Sequence, residues 1–101
     1  MGRERALANM IEFVDGNTNT VLQRVPFDQV PPGNREVYLR DGERVSSAQE
    51  ADEIIPIARV VRLLVDDAGA PAEPEHATRA MIQEFDASGV LLRETLQLRS
   101  R

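Results

Sequence analysis

The chain contains no cysteine, no lysine and no tryptophan. Without cysteine there is no disulfide framework, no thiolate nucleophile and no Cys-ligated zinc or iron–sulfur cluster. Without lysine there is no Schiff-base residue, no lysine general base and no phosphate-loop lysine. All twelve cations are Arg, a replacement that GC-rich codon usage explains without mechanistic meaning. Aromatic residues are few: Phe13, Phe27, Tyr38 and Phe85 are too scattered to form a base-stacking platform. Long apolar runs are missing too. The longest, Ile54 to Val65, is interrupted by Pro56, Arg59 and Arg62, whereas a membrane-spanning helix needs about 20 apolar residues. The opening Met1-Gly2-Arg3-Glu4-Arg5 leads into no apolar h-region, so no signal peptide is expected. These absences predict a soluble chain, cytoplasmic or held within a virion or another assembly.

What is present is globular in character. The 101 residues are 42% hydrophobic, enough for one small core and too few residues for a second domain. One domain is expected over 1–101, with flexible ends at 1–7 and 99–101. The net charge of −5 is spread evenly: residues 1–50 hold eight acids and six Arg, and residues 51–101 hold nine acids and six Arg. Neither half is a basic module that would cling to phosphate, so nucleic acid is not an expected partner. Only the tips are cationic, through Arg3 and Arg5 at one end and Arg99 and Arg101 at the other.

Four turn signals punctuate the chain: Asp15-Gly16, Asp41-Gly42, Asp66-Asp67-Ala68-Gly69 and Asp86-Ala87-Ser88-Gly89. Asp and Gly tolerate the positive φ of tight turns, so each is a hairpin candidate when apolar residues flank it. The first hairpin pairs Met10–Val14 with Thr20–Val25. The second pairs Glu36–Arg40 with Glu43–Ser46 and brings Arg40 near Glu43. Between them, Pro26 to Asn34 reads as a loop, given Pro31, Pro32 and Gly33. The middle of the chain is ambiguous. Ser47-Ala48-Gln49-Glu50 matches a capping box, but Pro56 would break a helix begun there. Ile57, Val60, Val61 and Leu64 fit a helical period, yet the β-branched Ile54, Ile55, Ile57, Val60, Val61 and Val65 favour a strand. Ala70–His76, with Pro71 and Pro74, reads as a loop. Residues 75–87 fit a helix ended by Gly89 or the first arm of a hairpin. In the hairpin, Phe85 falls opposite Val90, Glu84 and Arg93 become diagonal neighbours, and Glu94 sits awkwardly on the apolar face. Residues 90–98 read as a strand.

The fold expected is therefore mainly β: a small β-meander or partly closed barrel of about seven short strands, with room for short helices at 48–54 and 75–87. The alternative is an α+β domain with helices near 48–66 and 75–87. The expected core is Ile11, Phe13, Val21, Val25, Val37, Leu39, Val61, Leu63, Met81, Phe85, Leu92 and Leu96.

No catalytic, cofactor-binding or metal-binding residue is assigned. His76, the sole histidine, lies between Pro74 and Ala77 in a loop that fixes no ligand geometry. Asp15-Gly16-Asn17-Thr18-Asn19 starts like a calcium loop, but its sixth position is Thr20 and its twelfth Pro26, where Gly and Glu are required. Asp66 with Asp67, and Glu73 with Glu75, would need burial to split their acidities for acid–base work, and both pairs fall in expected loops. Ser46, Ser47, Ser88 and Ser100 lack a Gly-x-Ser-x-Gly setting. No glycine-rich phosphate cradle is present.

The stretch Val14-Asp15, Thr18, Val21-Leu22, Val25-Pro26, Asp28 and Val30 resembles the short hairpin of FlaG-type flagellar proteins over about twenty residues. In that family the hairpin ends the chain, whereas about seventy residues follow it here, and Asn19 stands where a turn glycine is usual. The likeness implies a hairpin and no function.

An open sheet of this kind has exposed edges, and pairing with a partner is one way to cover them. The expected function is thus a non-enzymatic protein-interaction or assembly module, for example a structural component of a phage particle or another large complex. It would work through a protein partner or self-association, without cofactor, membrane or small-molecule substrate. The alternative is a small acidic regulator or inhibitor that binds a partner enzyme.

Overall fold

A computed structural model describes residues 10–99; the expected flexible segment 1–7 and residues 100–101 lie outside them. The domain is mainly β. Eight strands, β1 Met10–Asp15, β2 Thr20–Pro26, β3 Glu36–Arg40, β4 Glu43–Arg44, β5 Glu53–Pro56, β6 Arg59–Val65, β7 Arg79–Phe85 and β8 Leu91–Leu98, form two sheets. The larger sheet has the order β2-β1-β6-β7-β8 and the smaller β4-β3-β5. There is no closed barrel. The sheet is also not one continuous meander, because β1 and β6 run parallel while every other pairing is antiparallel. Among the described residues no helix is long and apolar enough to cross a membrane.

Both expected hairpins form. In the second, Asp41 (φ 52°) and Gly42 (φ 82°) both take left-handed conformations, as a two-residue turn matched to strand twist demands, and Arg40 pairs with Glu43. In the first, the side chain of Asn17 acts as one more rung of sheet. Its Oδ1 accepts the Leu64 N–H at 2.8 Å and its Nδ2 donates to the Leu64 carbonyl at 3.1 Å. This extends the parallel β1–β6 pairing past the point where the backbone turns away. Gly16, just before it, donates its N–H to the Arg62 carbonyl at 2.8 Å. A Cβ on Gly16 would lie 2.8 Å from Val61 Cγ1, so the approach requires glycine.

The apolar run Ile54–Val65 is neither a helix nor one strand. It divides at Ile57-Ala58 into β5, in the small sheet, and β6, in the large one. Ile54 and Ile55 pair with Tyr38 and Val37, which outweighs the capping-box signal. Ser46 and Ser47 do hydrogen-bond Glu50 at 3.3 Å, but only turns follow, and the helix expected at 48–54 does not form. Ile57, 1% exposed, is the crossing point. Its N–H donates to the Arg35 carbonyl at 2.8 Å, and the Ala58 N–H donates to the Phe85 carbonyl at 2.8 Å.

Within 75–87 the structure likewise has no helix but a strand, β7. It pairs along its full length with β6 and β8, a pairing its β-compatible residues and the Asp86–Gly89 turn support. One detail differs from the expected hairpin. Glu84 stands directly opposite Arg93 and Phe85 opposite Leu91, leaving Leu92 as a bulge. The bulge turns the expected diagonal Glu84–Arg93 contact into a direct one. Glu94 also finds a partner, accepting a hydrogen bond from Gln83 Nε2 at 2.8 Å. The Asp66–Gly69 turn makes no hairpin of its own. It opens a long β6–β7 connection that returns along β6 through a Val65–Pro71 bridge and through N–H groups of Ala72 and Thr78, donated at 3.0 Å to the carbonyls of Leu64 and Val65.

The small sheet packs on one face of the large one. The core between them is Ile11, Val30, Val37 and Ile57, with Phe13, Val25, Phe27, Leu39, Val60 and Leu92 against it. Val30 is held in by a 3-10 turn, Phe27–Gln29, and a single helical turn, α1, Pro32–Arg35, in the segment expected to be a plain loop. Arg35 ties this segment together. Its Nη1 donates to the carbonyls of Phe27 and Val30, and its guanidinium lies 5.0 Å from the Phe27 ring centre, within cation–π range. The expected core also includes Val61, Leu63, Met81, Phe85 and Leu96. They lie instead on the opposite face, where Leu63, Met81 and Leu96 form one cross-strand row. Val21 is 39% exposed and Leu96 49% exposed, so neither belongs to the core.

Candidate interaction edge

Several of the side chains weighed for chemistry are engaged in building turns and rungs. Asp66 Oδ1 accepts the N–H groups of Ala68 and Ala70. Asp86 Oδ1 accepts those of Ser88 and Val90. In both turns a glycine at positive φ, Gly69 or Gly89, completes the loop. The two turns are thus one device used twice. Asp67 accepts the Thr78 hydroxyl at 2.7 Å, and Arg79 clamps the same turn through the carbonyls of Asp66 and Asp67. Asp15 Oδ1 accepts the Asn17 N–H, and the Asn17 amide bonds Leu64 and, at 3.4 Å, the Ala72 carbonyl. His76, Glu73 and Glu75 are exposed in the β6–β7 connection. Among the described residues no cluster of three potential metal ligands occurs.

Among the described residues two ion-pair groups cross the large sheet. Glu12 on β1 sits between its direct cross-strand partners, Arg24 on β2 and Arg59 on β6, at 3.0 and 3.2 Å. The Arg24 hydrogen bond, aided by Arg59, holds the Glu12 carboxyl below its ordinary acidity range. These three side chains border an open cleft of about 670 Å³ that reaches to the Asp86–Gly89 turn. On the face packed against the small sheet, Glu84 is 9% exposed and meets the Arg93 guanidinium through both carboxylate oxygens. That hydrogen bond raises the Arg93 pKa further. Such a fork-to-fork pair fixes the β7–β8 register.

The strand edges differ from one another. In the small sheet β4 has two residues, and β5 has four and ends at Pro56. Short strands and proline blunt an edge against further pairing. In the large sheet, β2 also ends in proline, and the Phe13–Val14 irregularity leaves Leu22 without a cross-strand partner in mid-strand. That bulge breaks the edge in two. β8 carries no proline, and its bulge lies near its start, at Leu92. Arg93–Leu98 then pair without interruption with Glu84–Arg79.

The free side of β8 can be read from one bond. The Arg99 N–H donates to the Thr78 carbonyl at 3.0 Å, so Thr78 and Arg99 are a hydrogen-bonded pair. Antiparallel pairs alternate. Arg93, Thr95 and Gln97 therefore turn their backbone groups toward β7, and Glu94, Leu96 and Leu98 turn theirs outward. Residues 94–98 are all exposed, with Leu96 at 49% and Leu98 at 86%. Arg99 continues the pairing and donates through Nη1 to the Pro74 carbonyl at 2.6 Å, so the end of the strand is anchored. The signal for this edge was in the sequence, as an alternating run without proline. Which edges stay open was not, because that depends on sheet order. Comparison with protein-family models, with curated proteins and with solved structures returns no match.

Proposed function

We propose that the protein is a non-enzymatic interaction module that joins a larger assembly by strand addition along β8. The observation that carries this reading is the contrast among the four edges. Three are shortened, bulged in mid-strand or closed by proline, while β8 presents an unbroken outward row of backbone donors and acceptors at Glu94, Leu96 and Leu98. Strand addition draws affinity from main-chain hydrogen bonds and specificity from alternate side chains. The exposed Leu96 and Leu98 supply apolar contacts beside that row. Asp66 and Asp67, one of the two acid pairs weighed for acid–base work, are instead spent on a turn, which supports a role by contact.

A photo-crosslinking residue at position 96, with position 22 on β2 as control, tests this in the native source. The expected result is one adduct of defined mass at 96 and none at 22, lost when Glu94→Pro removes an outward-facing N–H. No adduct at 96, or equal adducts at both positions, contradicts the reading.

A further inference from the structure

Resting on that strand-addition reading, we infer that the occupant of the β8 edge is a second copy of this chain, paired antiparallel about a two-fold axis through Thr95. Two identical edges that pair antiparallel are related by a two-fold axis normal to the sheet. That operation keeps each face on its own side. Side chains alternate between faces, and paired residues must share a face. The axis therefore passes through a residue and never between two.

Charge then selects the residue. An axis at Arg93 or Glu94 sets like charges directly opposite each other, which is destabilising. An axis at Leu96 sets Arg93 opposite the second copy's Arg99. An axis at Gln97 leaves only a short overlap among the described residues. An axis at Thr95 opposes no like charges. Thr95 meets Thr95, Arg93 meets Gln97, and Glu94 meets Leu96 in both directions. The outward backbone groups agree with this choice. Glu94 and Leu96 are the residues whose N–H and C=O face away from β7, so each Glu94–Leu96 couple becomes a hydrogen-bonded pair exchanging both bonds. Thr95 opposite Thr95 is then the closer, non-hydrogen-bonded kind of pair. The joined sheet would have ten strands, twice the five of one copy.

The chain has no cysteine, so a single introduced thiol reports the register. In full-length Thr95→Cys the two sulfurs stand directly opposite, within the Cβ separation a disulfide bridges. In Leu96→Cys the thiol faces Glu94. Under mild oxidation Thr95→Cys is expected to form a disulfide dimer at least tenfold faster than Leu96→Cys. The unmodified chain is expected to scatter light as a dimer of twice its 11.3 kDa at sub-millimolar concentration. A monomer in scattering, or equal cross-linking at 95 and 96, overturns the proposal. The photo-adduct at position 96 separates the two readings. An adduct with a different protein retains strand addition and overturns self-pairing, and the absence of any adduct overturns both.

Discussion

Asn17 holds Leu64 by both ends of its amide, accepting the Leu64 N–H at 2.8 Å and donating to the Leu64 carbonyl at 3.1 Å. A side chain forty-seven positions away in sequence thus completes a rung between the first hairpin and β6. Asn17→Ala removes both bonds, and a longer one from Nδ2 to the Ala72 carbonyl at 3.4 Å, and is expected to destabilise the domain by roughly 1–2 kcal/mol, the range for a few hydrogen bonds open to water. Asn17→Asp keeps the acceptor but sets a carboxylate against a carbonyl, so it should restore little. Urea midpoints at constant m-value measure both.

Gly16 is the second requirement of the same junction. A methyl group there meets Val61 Cγ1 at 2.8 Å and the Arg62 carbonyl at 3.3 Å, so β1 and β6 must separate. Gly16→Ala is expected to cost about 1–3 kcal/mol, the usual range for overpacking. Gly33→Ala, with nothing within 4 Å, should be neutral or slightly stabilising by restricting the unfolded chain. The contrast between the two thermal midpoints is the check.

Glu84 and Arg93 are the polar pair on the packed face. Glu84→Gln leaves a partly buried guanidinium without its counter-charge, and a loss of roughly 1.5–3 kcal/mol is expected, as for other hydrogen bonds to charged groups. Arg93→Met should cost a similar amount. The double variant Glu84→Leu/Arg93→Met should cost less than the sum, because no charge is then left unpaired. A double-mutant cycle in urea reads the coupling.

Acid sensitivity has a defined source at Glu12. Its folded pKa is lowered by Arg24 first and Arg59 second. A depressed folded value contributes stability above the unfolded carboxyl range and loses it as pH falls through the folded value. Stability should therefore decline as the pH drops below about 4.5, where the ordinary carboxyl value lies. Glu12→Gln should flatten that part of the profile while leaving the remaining acid response intact. Urea midpoints from pH 7 to pH 3 show whether it does.

Much of the fold was legible in the chain. Asp41-Gly42 encodes its own turn, and of the two readings open for 75–87 the structure follows the Asp86–Gly89 turn signal over the helical spacing of Met81, Ile82 and Phe85. What local reading could not supply was which elements sit side by side. Ile57 looked like one residue of a continuous apolar run, yet it is the buried crossing between two sheets. Val30 lay in a proline-rich stretch and is nevertheless core, because Arg35 and two single turns fold that stretch inward. Leu63, Met81 and Leu96 alternate as a core strand face should, but the small sheet covers the other face. The β8 edge follows the same pattern. Its composition was readable, whereas its outermost position depends on the parallel β1–β6 contact, which no short-range signal announces.

The account turns on whether the outward backbone of β8 is engaged. Amide hydrogen exchange residue by residue answers this most directly, since within one copy Thr95 and Gln97 bond to β7 while Glu94, Leu96 and Leu98 face away. Self-pairing predicts that the Glu94 and Leu96 amides are protected to a degree approaching that of Thr95, and that this protection fades on dilution as the dimer dissociates. Rapid exchange at Glu94 and Leu96 at every concentration, alongside a protected Thr95, would contradict it.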